Sequence, residues 1–328
     1  MSNIAYWDCH AGIAGDMCLG ALVSAGVPID YLNLVIDRLG LSQKVKIRSE
    51  LVLRCGQEAT KVHVELIPDD NSMNPDREAL PEESAPPEPD HSHDPAHKHT
   101  HEHSSDHDHE HPHDRSQDRN TSHDAHTHHR HLPEIETMIR EANLPLKVEF
   151  WSLRIFRRLA IAEGKVHGIA PEQVHFHEVG ALDAIVDIVC TCAGLDWLGI
   201  DQLFCSALPT GGGFVKCEHG RMPVPAPAVL KLWELHQVPV FSNGIEKELV
   251  TPTGAAIAVS LCESFGKIPN LRIKKVGLGA GTRDLAIPNI VRLWIGEGED
   301  SLSNVQDRGE KHKDKKHKHK QDKKKSLK

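Results

Sequence analysis

Imidazoles and carboxylates gather most densely in the run His175-Phe176-His177-Glu178-Val179-Gly180-Ala181-Leu182-Asp183-Ala184-Ile185-Val186-Asp187. At a strand end His175 and His177 project to one face, because side chains alternate with period two. Asp183 and Asp187, four residues apart, share one face at the start of the helix that follows. Two imidazoles with Glu178 and the two aspartates could surround one ion or one phosphate. The same residues admit a plainer reading, in which Asp183 stabilises the helix N-terminus and the histidines are satisfied core groups.

A second concentration is compositional. Residues 69–131 hold 15 of the 25 histidines, together with 16 Asp/Glu against 5 Lys/Arg. Candidate ligands here are His99, His101, His103, His107, His109, His111, His113, His128, His129 and His131. Imidazole suits nickel, zinc and copper, and a run of this kind ranks ions by the Irving–Williams order rather than by a designed geometry. A solvated spacer is the alternative, but it needs no such density of histidine. The tail repeats the theme weakly with His312, His317 and His319 among lysines.

Near the start, Asp8 follows a strand and Asp16 follows the Gly12 to Gly15 turn. Open backbone N–H groups at a helix start favour an anion, and carboxylates there can hold a phosphate-bound Mg2+. The segment lacks the Gly-Lys-Ser/Thr of a P-loop and the dinucleotide-binding spacing, and Asp16 could equally be a helix cap. Thr210 to Gly213, Cys217 to Gly220, Thr251 to Gly254 (with Thr253) and Gly277 to Asp284 (with Arg283) set small residues beside polar ones. Four such loops suggest a ligand approached by backbone.

These residues need elements to hold them. Ile4–Trp7 reads as a strand, Met17–Ala25 and Ile29–Leu39 as helices, and Lys44–Leu53 with Thr60–Ile67 as a hairpin around Cys55-Gly56-Gln57. Helices follow at Pro133–Ala142, Leu146–His167, Leu182–Leu198, Pro227–Leu235 and Thr253–Phe265. Strands are expected at Val174–His177, Gln202–Ala207, Leu271–Gly277 and Ile290–Ile295. The alternation predicts an α/β or α+β body, a mixed sheet with flanking helices. Its parts are residues 1–68 and 132–298, interrupted by an insert at 69–131 and followed by a tail at 299–328. The insert has no aliphatic residue larger than Ala between Leu80 and Leu132, so it is expected to be disordered, as is the Lys/His-rich tail.

The net charge of -9 divides as -11 for the insert, +5 for the tail and -3 for the body. No part of the body carries a nucleic-acid footprint. Eight scattered cysteines without a C-x-x-C pair, and no apolar run long enough for a membrane, predict a reduced, cytoplasmic protein with no membrane partner. Oligomeric state is left open, a homo-oligomer included.

Taken in order, YWDCHAGIAGDM (6–17), the His-rich insert, VHGIAPEQVHFHEVGALDAIVDIV (166–189), LDWLGI (195–200), CEHGRMPVPAPAVL (217–230), ELVTPTGAA (248–256) and GLGAGTRD (277–284) resemble the LarC family. These are nickel insertion proteins for the pyridinium-3,5-bisthiocarboxylic acid mononucleotide cofactor of lactate racemase. The resemblance implies a lyase-type nickel chelatase, a cyclometallase. It would place Ni2+ into that nucleotide through Ni–S and Ni–C bonds, with CTP hydrolysed in the presence of Mn2+ or Mg2+. It implies catalytic roles among Asp8, Asp16, Glu178, Asp183 and Asp187, and cofactor contacts from Gly12, Gly15, Thr253, Gly254 and Arg283. His175 and His177 would be metal ligands beside the insert histidines.

Implied partners are the cofactor-accepting racemase and a C-terminal CTP-binding half. Family members continue past the strand at Ile290–Ile295 into that half, whereas here the sequence runs into GEGEDSLSNVQDRGEKHKDKKHKHK. The expectation is therefore a nickel-delivering half completed by a separate portion, or else a nickel-storage protein or metallochaperone without catalysis of its own. His10 and Leu285 stand where family members more often carry Phe.

Overall fold

A computed structural model describes residues 2–67, 130–176, 182–217 and 220–298. The chain opens with β1 (Asn3–Asp8), α1 (Gly15–Ser24) and α2 (Ile29–Arg38), followed by the hairpin β2 (Val45–Arg54) and β3 (Gln57–Leu66). After the insert come β4 (Arg130–His131), α3 (Leu132–Glu141), α4 (Leu146–His167), β5 (His175–Phe176) and α5 (Leu182–Trp197). The remainder is β6 (Gln202–Cys205), β7 (Leu208–Pro209), β8 (Phe214–Cys217), β9 (Gly220–Pro223), α6 (Pro227–His236), β10 (Val240–Phe241), α7 (Pro252–Leu261), β11 (Ser264–Phe265), β12 (Leu271–Ala280) and β13 (Ile290–Gly298).

Seven strands form one mixed sheet in the order β11-β6-β1-β13-β12-β3-β2, so the expected mixed sheet with flanking helices is what the chain builds. β1 lies inside it beside the central strand β13, parallel to β6 and antiparallel to β13. Two-sided burial explains why β1 reads as an unbroken apolar run rather than an alternating one. The β2–β3 hairpin turns on Cys55 and Gly56, both at positive φ (48° and 79°), the geometry that matches the right-handed strand twist.

Helix α1 packs on β3 and β12, α5 packs on α1, and α4 lies against α5, α6 and α7. The contact of α1 with the sheet is unusually close. A Cβ at Gly279 would come within 1.8 Å of the Met17 carbonyl oxygen, so only glycine fits there. The core runs through Trp7, Leu19, Leu22, Ile36, Ile155, Phe156 and Ile185, all buried.

Two expectations change. The helix expected to reach Phe265 ends at Leu261, and Ser264–Phe265 joins the sheet as the edge strand β11, parallel to β6. Phe265 falls four residues after Leu261, a helical step, so periodicity alone carries the helix past its true end. His131, expected inside the insert, belongs with Arg130 to β4, which pairs antiparallel with β5. The β8–β9 hairpin had no counterpart in the sequence reading.

Candidate functional site

The turn from β1 into α1 is bound to a distant loop. The Ile13 N–H donates to the Leu249 carbonyl (2.9 Å), and the Thr251 N–H donates to the Ile13 carbonyl (3.2 Å). Gly12 sits at φ +109°, and a Cβ there would meet the Leu249 carbonyl oxygen at 1.9 Å. Its role is therefore to let this loop pass, a close approach that only glycine permits. Gly254 similarly faces the Ile13 carbonyl, and its N–H donates to the Thr251 hydroxyl (3.1 Å). Thr251 is thus the residue that caps α7, while Thr253 is buried in the first turn.

At the start of α1, Asp16 is the hub. Its Oδ1 accepts from the Met17 N–H (2.8 Å), and its Oδ2 pairs with the Lys61 ammonium. Lys61, on β3, is buried and also donates to the Thr282 hydroxyl (2.7 Å). Asp187 completes the group from α5. It lies directly against Gly15, where a Cβ would be 2.3 Å from Asp187 Oδ2. Asp187 Oδ1 is buried with no hydrogen-bond partner among the described residues. Burial first, then the charges of Asp16 and Asp183, push the Asp187 carboxyl well above the usual range, against a lowering by Lys61. A buried carboxyl that favours its proton beside a carboxylate–ammonium pair can exchange a proton with a ligand at this helix start.

Other expected residues lie apart from this cluster. Asp8 is buried and engaged by the Arg292 guanidinium and by His10 Nδ1 (3.0 Å). Arg283 reaches Glu248 (3.8 Å) at the surface rather than the Asp16 carboxylate. Asp183 is exposed, and its Oδ1 accepts from the Ala184 N–H (2.9 Å) as a residue of the first helical turn. His175 and His131 stand directly opposite each other on β5 and β4. His177 and Glu178, like the insert histidines from His99 to His129, lie outside the described residues. Among the described residues no three His, Cys, Asp or Glu side chains converge to hold a metal ion. One Asp16 oxygen is moreover taken by Lys61, so these residues do not fit a dedicated Mn2+ or Mg2+ site.

Lys61 and Arg292 were absent from the sequence reading, and Thr282 lay in its Gly277 to Asp284 loop without being singled out. The signal for Lys61 was a lysine inside a strand that is central once β12 pairs with β3, since buried lysines require a partner. Sulfur is also set into this core. Cys9 Sγ lies 3.7 Å from Cys205 Sγ, and Cys9, Cys18, Cys190, Cys192 and Cys205 are all buried. Burial raises each of these thiols, Cys192 to about 12.

The sequence profile described as nickel insertion protein matches residues 5–325, which takes in nearly all of the described residues. The chain belongs to the nickel insertion protein family. A relative from Gloeothece citriformis is 55% identical over 301 residues, covering 92% of this chain and 63% of its own length. Relatives from Rippkaea orientalis and a Nostoc species are each 53% identical, covering 95% and 94% of this chain and 64% and 62% of their own lengths. All three are provisionally named nickel insertion proteins. The chain thus spans a little under two thirds of the relatives it matches. No solved structure matches it. No described helix of this family member is long and apolar enough to cross a membrane.

Proposed function

We propose that this chain is the nickel-delivering part of a CTP-dependent cyclometallase, which inserts Ni2+ into pyridinium-3,5-bisthiocarboxylic acid mononucleotide. The observation that carries this reading is the family match from residue 5 to 325, with identity above one half in relatives named for nickel insertion. CTP, with its Mn2+ or Mg2+, is assigned to the additional length that the relatives carry. The product would pass to a cofactor-accepting racemase in the cytoplasm.

The residues supply a chemical part for this chain. Forming a Ni–C bond at a ring carbon that bears hydrogen breaks a C–H bond; the electron pair goes to the metal bond and a proton must leave. In this reading the Asp16 carboxylate, held by Lys61, is the acceptor, beside an Asp187 carboxyl that already favours a proton of its own. The α1 N-terminus and Lys61 offer positive potential to the anionic ligand.

A second reading is nickel storage or delivery without catalysis, which the fourteen histidines at 91–129 would serve by themselves. One assay separates the two. Conversion of the bisthiocarboxylate nucleotide to its nickel form is measured with CTP, with and without a separately expressed C-terminal portion of a relative. Conversion only with both parts supports the cyclometallase. Nickel binding without conversion under any combination leaves storage or delivery.

A further inference from the structure

We propose that His131 and His175 form a two-imidazole nickel site on the body itself, the point at which the ion passes from the insert to the fold. Their side chains face each other as a register pair on the antiparallel strands β4 and β5, with ring centres 3.9 Å apart and planes inclined at 55°. Two imidazoles on one ion at a right angle, with metal–nitrogen bonds of about 2.1 Å, place their ring centres roughly 4.5 Å apart. A small opening of the pair therefore admits the ion. His175 is exposed and His131 half-buried, so the site is reachable from solvent.

The backbone around the pair is fixed. His131 precedes the first turn of α3, and its N–H donates to the Glu134 carboxylate (3.3 Å). On the other strand, Phe176 is buried edge-on against Phe156 of α4. Each imidazole thus projects from a residue whose main chain is anchored to a helix, which lowers the ordering cost of chelation.

The position in the chain gives the pair its use. The insert runs directly into β4, and five residues separate Phe176 from Leu182 at the start of α5, which carries Asp183 and Asp187. The β4–β5 ladder is therefore the covalent junction between the histidine-rich segment and the carboxylate cluster. Among the described residues no group of three His, Cys, Asp or Glu converges here, and in this proposal exchangeable water fills the remaining positions on the ion. Two nitrogens and exchangeable water hold nickel without trapping it, which suits a cargo in transit.

This inference deepens the nickel reading but is tested by binding alone. The full chain is prepared with its fourteen histidines at 91–129, and His312, His317 and His319, replaced by serine. It is titrated calorimetrically with NiCl2 at about pH 7.5. One nickel per chain is expected, weakened about tenfold or more by His175→Ala and by His131→Asn. Asparagine is itself a good residue ahead of a helix, so His131→Asn keeps the fold. His63→Ala, which removes an imidazole paired with Glu50 elsewhere, is expected to change nothing. The proposal is overturned if the serine background binds no nickel, if both ladder variants bind at full strength, or if His63→Ala weakens binding as much as they do. Nickel held by the pair in a protein inactive in the insertion assay would remove the cyclometallase reading and leave this one standing.

Discussion

The cluster at the start of α1 and the histidine pair on β4–β5 solve opposite problems with polar side chains. Asp16 and the exposed Thr282 hold the buried Lys61 ammonium at the margin of the interior, and half-buried Asp187 lies beside them with one buried oxygen that has no partner among the described residues. His131 and His175 lie at the surface on strands two residues long. In the first region desolvation makes each charge depend on its partner, and removing one member leaves the others exposed to a large penalty. In the second, water can replace any lost contact. A proton-handling site belongs in the first environment, and an ion that must arrive and leave belongs in the second.

The contrast predicts a large effect of Lys61→Met. It leaves Asp16 and Asp187 without their cation, and should cost about 3–5 kcal/mol in a urea denaturation, along with insertion activity. His175→Ala, by comparison, should move the same transition by less than about 0.5 kcal/mol. Equal losses from the two would break the comparison.

Next in size is the insert. Replacing its fourteen histidines at 91–129 by serine should lower nickel stoichiometry severalfold while leaving the thermal transition of the body in place. Equilibrium dialysis and calorimetry report the two quantities. Nickel uptake by the unaltered chain should also fade below about pH 6, since imidazole must be neutral to ligate.

Asp187→Asn sharpens the electrostatic side. The Asp187 carboxyl is raised in the folded state, so the fold binds that proton more tightly than the unfolded chain does. Its contribution is fully present below the unfolded pKa, about 3.9, and is lost as pH rises through the folded value. Melting temperature should therefore rise in Asp187→Asn at pH 8, by about 2–4 °C for each kcal/mol relieved, and the gain should close toward pH 4. A gain independent of pH would mean that packing, not charge, is being changed.

The smallest effect is expected from Asp183→Asn. Asp183 is exposed and satisfied by the helix start, so stability should change by less than about 0.5 kcal/mol in the same melts. Any effect on insertion activity would then have to act through the charge it presents to Asp187.

Much of the architecture was legible because apolar periodicity is local. α4 was expected at Leu146–His167 and forms there, and α2 and the β2–β3 hairpin differ from expectation by a residue or a few at their ends. β11 was not legible, since Phe265 keeps the helical spacing from Leu261 and its pairing with β6 is a tertiary contact. Asp16 and Asp187 could be picked out by their positions on helices. Lys61 and its link to Thr282 could not, because Lys61 reaches Asp16 across 45 residues of sequence and Thr282 across 221. The alternation of Val62 and Val64 suggested a strand with one wet face, and burial of Lys61 appears only when the seven-stranded sheet is assembled. Gly15 was expected to serve a ligand, whereas its missing side chain makes room for a carboxylate of the protein itself.

The buried sulfurs have a consequence for selectivity. Thiolates bind nickel far more readily than thiols do, and a protein that carries this ion must not sequester it in its own interior. Burial keeps Cys9, Cys18, Cys190, Cys192 and Cys205 protonated at neutral pH, which makes them poor ligands and slow targets for oxidants. The fold can hence keep these five sulfur atoms as apolar filling, withdrawn from any metal that the protein meets.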